Sequence, residues 1–311
     1  MAIEHASAQA VRKPWGVADL TPWSGIDGSG DAVGELWFRR PDKDAPIPAL
    51  LLKLLFTSEP LSIQVHPDDA FAHSIGLPNG KTEAWYILSA TPEARIAVGL
   101  KRHLTRQQLR GSIKDGSIAG LAQWRSVRRG DFISIPAGTI HAIGAGIMLA
   151  EIQQNSDVTF RLFDYGRQRE LHEENAVAVA DARPALTEAV ARHLSDERWA
   201  LIASPHFVLE RIKLPANSTW AIIADKETWI LVIEGLAKIG ATNTTVGDVI
   251  FVEADRAIIE VGPNGMSSLI AYPGPDPIMS LLQEAGAQMT KSVGAFGVHV
   301  PKPNEIVEVQ T

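Results

Sequence analysis

Four positions in this sequence have the residue types and spacing to hold a divalent cation. Gln64 and His66 stand two apart in SIQVH, where polar and apolar residues alternate strictly. That alternation predicts a strand, so both side chains leave the same face. Glu83 follows in KTEAWYIL, which reads as a further strand, and His141 closes the segment GDFISIPAGTIH. In that segment Pro136 and Gly138 form a tight corner that turns the histidine inward. The sequence has no cysteine, which excludes thiolate zinc sites, iron–sulfur clusters and disulfides. A metal must therefore be held by nitrogen and oxygen. Two neutral imidazoles, one amide and one carboxylate leave a net charge of about +1 on a divalent ion, which remains a good Lewis acid. This donor set suits Zn, Mn, Fe, Co or Ni, and the spacing does not choose among them.

The elements that must position these residues are mostly short strands. Gly34 to Arg39 and Leu50 to Thr57 read as extended. Asp68 and Asp69 start a short helix over AFAHSIG. Thr105 caps a helix through Arg110, and Ile118 to Trp124 has helical texture, so a small α-helical insertion is expected over 103–124. Phe132 to Ile135, Ile147 to Gln153 and Val158 to Phe163 resume the strand pattern. Arg169 to Asp181 reads as a helix. Beyond it, Trp229 to Ile233, Val249 to Val252, Ala257 to Val261 and Ser267 to Tyr272 are apolar runs separated by turn residues, with Glu234-Gly235 ending a strand. Gly247-Asp248 opens a strand much as Gly130-Asp131 does, which suggests two related β units. The expected division is a metal-binding unit over 1–168, a helical connection over 169–198 and a second unit without metal ligands over 199–311. Gly28 to Gly34 imitates a nucleotide-binding loop, but its spacing is wrong and no strand precedes it.

Bulk properties narrow the function. The 311 residues carry 29 basic and 36 acidic side chains, a net charge of −7, and no long basic run, which excludes a nucleic-acid partner from the expectations. With 45% hydrophobic and 21% charged residues the chain can fill a core. The N-terminal stretch lacks the apolar segment of a secretory signal, and the longest apolar run, Ile47 to Phe56, is too short to cross a bilayer. A soluble, cytoplasmic protein with no membrane partner, monomeric or homodimeric, is the expectation. An acidic chain that takes an anionic ligand must supply positive charge locally.

The segment G-x5-P-x-G-x2-H from Gly130 to His141 is the second cupin motif, and Q-x-H followed by Glu replaces the more usual H-x-H form of the first. The fold expected is mainly β: two cupin-type (jelly-roll) β-barrel units with the helical insertion. More specifically, SIQVHPDD (62–69), KTEAWYIL (81–88), IPAGTIHAIG (135–144) and EIQQNSDVTFRLFDYGR (151–167), with KPWG (13–16) and GELW (34–37), resemble type I mannose-6-phosphate isomerases in their short bacterial form. The motif-bearing resemblance covers roughly the first 170 residues. It implies one zinc ion per chain on Gln64, His66, Glu83 and His141, and interconversion of mannose 6-phosphate and fructose 6-phosphate through a cis-enediol. Such a reaction needs an electrophile at the carbonyl and a base that returns the proton it takes.

Within that frame Glu151 is the candidate shuttle base and Lys81 the candidate oxyanion stabiliser. The resemblance places Arg161 over the active site and sets a basic residue at Arg167. Arg161 is a candidate catalytic residue, and it and Arg167, with the Ser62 hydroxyl, are the candidate phosphate ligands. Blander readings stand beside them. Glu151 can orient a metal ligand, Arg161 can pair with Asp157 or Asp164, and Trp15 and Trp85 suit a core. His172 reads as a packing or capping residue, and His5, His73, His103, His193, His206 and His299 as ordinary surface or core histidines. The rival functions are another cupin metalloenzyme, a sugar epimerase or oxygenase, and a non-catalytic sugar-binding cupin.

Overall fold

A computed structural model of the chain describes residues 2–26, 31–185 and 189–285. The glycine loop at Gly28 to Gly30, and the end of the expected second unit with His299, lie outside the described residues. The N-terminal half is two antiparallel sheets. The six-stranded sheet runs Ser7–Val17, Val33–Arg39, Leu50–Thr57, Ile147–Gln154, Glu83–Ala90, Phe132–Ile135. The five-stranded sheet runs Phe160–Phe163, Ile63–Val65, His141–Ile143, Arg95–Leu100, Ala122–Ser126. Gln64 and His141 are direct cross-strand partners in the smaller sheet, whereas Glu83 stands at the start of a strand in the larger one. The metal-ligand candidates thus come from both sheets and meet between them.

The larger sheet is buried on both faces, which is why Leu50–Thr57 is a continuous apolar run rather than an alternating one. One face carries Lys53, Leu55, Trp85 and Glu151 towards the smaller sheet. The other carries Leu36, Leu52, Leu54, Tyr86 and Ile152 against Phe207, Leu209, Trp229 and Phe251 of the C-terminal half. The described residues of that half supply nine strands of a ten-stranded arrangement with its own apolar filling around Ile222, Ile230, Ile250 and Tyr272. Ala2–His5 adds a strand to it beside Val249–Glu253. Glu227 accepts from the backbone N–H of Leu50 at 2.9 Å, a further tie between the halves.

Several expected elements form as read. Asp68 accepts from the Phe71 N–H and caps the helix Asp69–Ser74. Thr105 and Gln108 make a reciprocal capping box on Arg106–Lys114, a turn longer than expected. Others differ. The helix at Ile118 stops at Leu121, because 122–126 is drawn into the sheet as the edge partner of Arg95–Leu100. The helix expected over 169–181 is only Glu173–Val179. Its flanks are spent on tertiary contacts: the His172 N–H donates to the carbonyl of Arg161 and the Asp181 N–H to that of Gly138. Glu234-Gly235 does not end a strand, since Thr228–Ile239 continues through both residues with bulges. The runs at Ala257 and Ser267 are one strand, Asp255–Pro273. Among the described residues no helix is long and apolar enough to cross a membrane.

The C-terminal half buries one charge cluster. Arg198 donates to both oxygens of Glu210 at 2.9 and 2.8 Å and to the carbonyls of Met279 and Ile278, while the Tyr272 hydroxyl also donates to Glu210. Removing one partner strands the other away from water. Glu210→Ala is therefore expected to lower unfolding free energy by about 3–5 kcal/mol, and the double change Arg198→Met with Glu210→Leu to cost clearly less than Glu210→Ala alone. Urea denaturation of the three proteins measures both.

Candidate metal centre and catalytic cavity

The first coordination candidates are held by backbone devices on either side. Gly138, at φ +85°, makes the corner before His141, and its N–H donates 2.8 Å to the carbonyl of His66. A side chain there would be strained and would approach the Val179 carbonyl at 3.1 Å. Gly80 lies so close to the Pro67–Asp69 turn that an added Cβ would stand 2.5 Å from the Asp68 carbonyl carbon. Its N–H donates to Asp69, and the Lys81 N–H donates to Pro67 O, which fixes where Lys81 and Glu83 enter the interior.

His66, Glu83 and His141 are fully buried and their ligand atoms lie within 4.8 Å of one another. His66 Nε2 is 3.4 Å from Glu83 Oε2, and His141 Nε2 is 3.3 Å from Glu83 Oε1. The Gln64 amide is 3.2 Å from His141 Nε2 and 3.5 Å from His66 Nε2. Ligand arms of about 2.1 Å in a tetrahedron leave edges of about 3.4 Å, so these spacings fit one cation. The ring orientations fit as well. His66 Nδ1 donates to Val158 O and His141 Nδ1 to Thr139 O, both at 2.8 Å, which leaves each Nε2 lone pair facing the cage. Both Glu83 oxygens are buried and accept no hydrogen bond. Gln64 Oε1 accepts from Ser62, and a half-turn of the amide would exchange it for Nε2 at the cage. A divalent cation held by these four side chains matches the donor chemistry.

The protonation states suit ligation. Burial, reinforced by the Lys81 charge, pulls His66 down to about 3, and burial lowers His141 as well, so both rings are neutral at neutral pH. Burial alone would raise Glu83, but the Lys81 ammonium opposes it, and the carboxylate stands well below its usual range. Lys81 stands 3.3 Å from Glu83 and is pushed up, since Glu83 and Glu151 overcome its burial.

Beside the cage lies a cavity of about 210 Å³. Glu151 lies on its wall with Trp85 Nε1 donating to Oε2 at 3.1 Å and Lys53 Nζ 3.4 Å from Oε1. Burial, with Glu83 nearby, raises its pKa. Lys53 sits 4.4 Å over the Trp37 ring and 4.0 Å from Glu35, and burial lowers it. Lys13 pairs with Glu35 at 3.4 Å. Five basic side chains and three carboxylates line the cavity, so it is locally positive although the chain is acidic.

The candidates from sequence divide accordingly. Gln64, His66, Glu83, His141, Lys81, Glu151, Ser62 and Arg161 come together at the cage and cavity. Arg161 pairs with neither Asp157 nor Asp164, and its buried Nε has no hydrogen-bond partner. Arg167 does not line the cavity. It is drawn to Asp164, the Pro60 carbonyl and Glu59. Arg169, gripped by the same Asp164 at 2.6 and 2.7 Å and 4.9 Å over Trp15, lines it instead. Sequence reading passed over Arg169, Lys53, Glu35 and Lys13. For Lys53 a signal existed, as the one charge in an apolar strand. Trp15 and Trp85 are buried as expected for core residues, yet each also borders the site.

No protein-family model matches the chain. It is similar to the mannose-6-phosphate isomerase of Streptococcus mutans, 40% identical over 176 residues, which covers 54% of this chain and 55% of that protein. The chain spans about half the length of the curated relatives it matches. Among solved structures, the mannose 6-phosphate isomerase of Bacillus subtilis superposes with a TM-score of 0.74 at 24% identity, covering 88% of this chain and all of that one. A mannose 6-phosphate isomerase bound with zinc and yttrium gives 0.69 at 15% identity, covering 88% of this chain and 100% of that one. What these structures share with this chain is the fold, the mainly β architecture expected from the motifs.

The ligand protonation states carry a stability consequence. An unfolded chain protonates His66 as pH falls below 6.5, whereas the folded metal-free protein resists until about 3. The unfolded state then binds more protons, so stability falls as pH drops through this window. Glu83, depressed below 4.5, adds loss of the same sign at lower pH. The urea midpoint of chelator-treated protein is expected to decline steadily from pH 6.5 downward, and His66→Gln to flatten the part above pH 4.5. A midpoint indifferent to pH across that range would contradict the assignment.

Proposed function

We propose that this chain is a zinc-dependent mannose-6-phosphate isomerase, interconverting mannose 6-phosphate and fructose 6-phosphate through a cis-enediol. The observation that carries the reading is the juxtaposition of a four-donor cage with a buried carboxylate of raised pKa and two buried ammonium groups. The similarity to curated mannose-6-phosphate isomerases over about half of the chain supports it. Zinc is the metal favoured by a cage of two imidazoles, an amide and a carboxylate. When bound, the cation supplies a Lewis acid for the substrate's carbonyl oxygen.

The side chains supply the rest. Glu151, held by Trp85 and Lys53, takes the proton from C2 of the aldose and returns it to C1. Its raised pKa makes the protonated form persist long enough for return, and no redox cofactor is needed. Lys81 offsets the negative charge that develops on the enediolate oxygens. Lys53, whose proton is loosened by burial, moves a proton between O1 and O2. Arg161 binds the phosphate. Ser62 sets the Gln64 amide, and Arg167 shapes the rim through Asp164 rather than touching substrate. The proposed catalytic unit is 1–168, followed by a connection over 169–198 and a second unit over 199–311, of which the described residues up to 285 back the larger sheet. The protein works in the cytoplasm on a small sugar phosphate, as monomer or homodimer, with no nucleic-acid or membrane partner.

A coupled assay on mannose 6-phosphate, with metal content measured on the same sample, tests the reading. Zinc-loaded protein should turn over and chelated protein should not. Glu151→Gln should retain zinc and lose about 10²–10⁴-fold in kcat, with loss of exchange of the C2 hydrogen with solvent. Full turnover after exhaustive metal removal, or oxygen uptake in place of isomerisation, would overturn it.

A further inference from the structure

We propose that His172 is a substrate-binding residue whose Nε2–H donates to the phosphate of the sugar, beside Arg161 and Arg169. The inference rests on the isomerase reading for the identity of the anion. It departs from the sequence expectation, in which His172 packs or caps. His172 does stand at the N-cap position of Glu173–Val179, but its side chain makes no capping hydrogen bond.

The side chain does something else. The His172 N–H donates to the Arg161 carbonyl at 2.9 Å, and the Arg161 N–H donates back to His172 Nδ1 at 3.0 Å. This two-way bracket fixes the tautomer. A backbone N–H can point at Nδ1 only if that nitrogen offers a lone pair, so a neutral ring carries its proton on Nε2. Burial and the adjacent Arg161 charge both favour the neutral form. Nε2 makes no hydrogen bond to any described residue, the ring is only partly buried, and it lines the same cavity as Arg161 and Arg169. Phe160, with its ring centroid 6.0 Å away, limits how the imidazole can turn.

The position suits the far end of a sugar phosphate. Arg161 is the cross-strand partner of Gln64, and Gln64 of His141. Two strand spacings, about 10 Å, separate the His141 strand from the Arg161 strand to which His172 is bracketed. That is the reach of an extended six-carbon chain with its carbonyl end at the cage. Arg161 Nε is buried with no acceptor, and Nε2–H of His172 has none either. Two donors lacking acceptors on one wall call for a ligand rich in acceptors, and Arg169 adds a charge already oriented by Asp164.

Two substitutions separate the donor from the bracket. In His172→Asn the amide can accept from the Arg161 N–H but nothing reaches the Nε2 position. In His172→Gln an amide N–H reaches that position. Binding of inorganic phosphate to the zinc-loaded protein is read by calorimetry, alongside KM and kcat on mannose 6-phosphate. His172→Asn is expected to weaken phosphate binding and raise KM about 10- to 100-fold, with kcat within about threefold and His172→Gln largely restored. Unchanged phosphate affinity in His172→Asn, or a fall in kcat at constant KM in both variants, would overturn the proposal. A wild type that does not isomerise, with the same pattern of phosphate binding, supports the anion role of His172 and refutes the isomerase reading.

Discussion

Glu83 is the constraint on which the site depends. Its carboxylate is fully buried, both oxygens lack hydrogen-bond donors, and its neighbours are two neutral imidazole nitrogens and one ammonium. An isolated carboxylate in such a place would neutralise itself by taking a proton. Lys81 prevents that, but one ammonium at 3.3 Å addresses only one of the two oxygens. The other faces His141 Nε2, a lone pair opposite a lone pair once Nδ1 has donated its proton to Thr139. Two acceptors aimed at each other are repulsive unless something positive lies between them. The fold thus stores an electrostatic debt that a cation settles. The Gly138 corner and the Gly80 clamp are the backbone features that keep the acceptors from drifting apart.

Holding that arrangement rigid requires a sheet that cannot flex, and the chain achieves this by burying its larger sheet twice. Lys53, Glu151 and Trp85 form one cross-strand row on the cavity side, while the residues between them in each strand pack against the C-terminal half. A solvated outer face would let charged side chains on the inner face draw water through the sheet edges. With Leu52, Leu54 and Ile152 packed with Phe207 and Trp229, the back of the sheet is closed by apolar side chains, and Lys53 and Glu151 face only the cavity. The C-terminal half, filled by its own apolar residues, contributes this backing, and none of its described residues joins the cage.

The cage was legible because period-two alternation and a Pro–Gly corner are local signals. SIQVH fixes the face shared by Gln64 and His66 whatever the rest of the chain does, and the corner dictates where His141 goes. The cavity was less legible because its members meet through long-range pairing. Arg167 and Arg169 are two residues apart in an irregular loop, and only the geometry of Asp164 decides which of them faces inward. Lys53 stood out as the one charge in an apolar strand, but the double burial of that strand removes the alternation that would have told which face it takes. Gly262 to Gly265 look like a turn, so Asp255–Pro273 reads as two strands. Its long partner Thr228–Ile239 pairs with both parts and absorbs the interruption as a bulge. His172 shows the same limit: its place before a helix suggests a cap, and only the bracket with Arg161 reveals where its proton lies.

The order of charges along the cavity wall follows from these constraints. Lys13, Glu35, Lys53 and Glu151 alternate in sign, with contacts of 3.4, 4.0 and 3.4 Å, and Lys81 and Glu83 continue the alternation to the cage. Alternation lets each buried charge find its counter-charge without water, but it also makes each one sensitive to its neighbour. Lys53 is lowered chiefly by burial and then by Lys81, while Glu151 is raised chiefly by burial and then by Glu83. The pair in the middle of the chain is therefore the one whose proton affinities converge. The carboxylates on either side of it, Glu35 and Glu83, are lowered by the cations around them. The wall places Lys53 and Glu151 beside the cage, and the ionised groups around them hold them there.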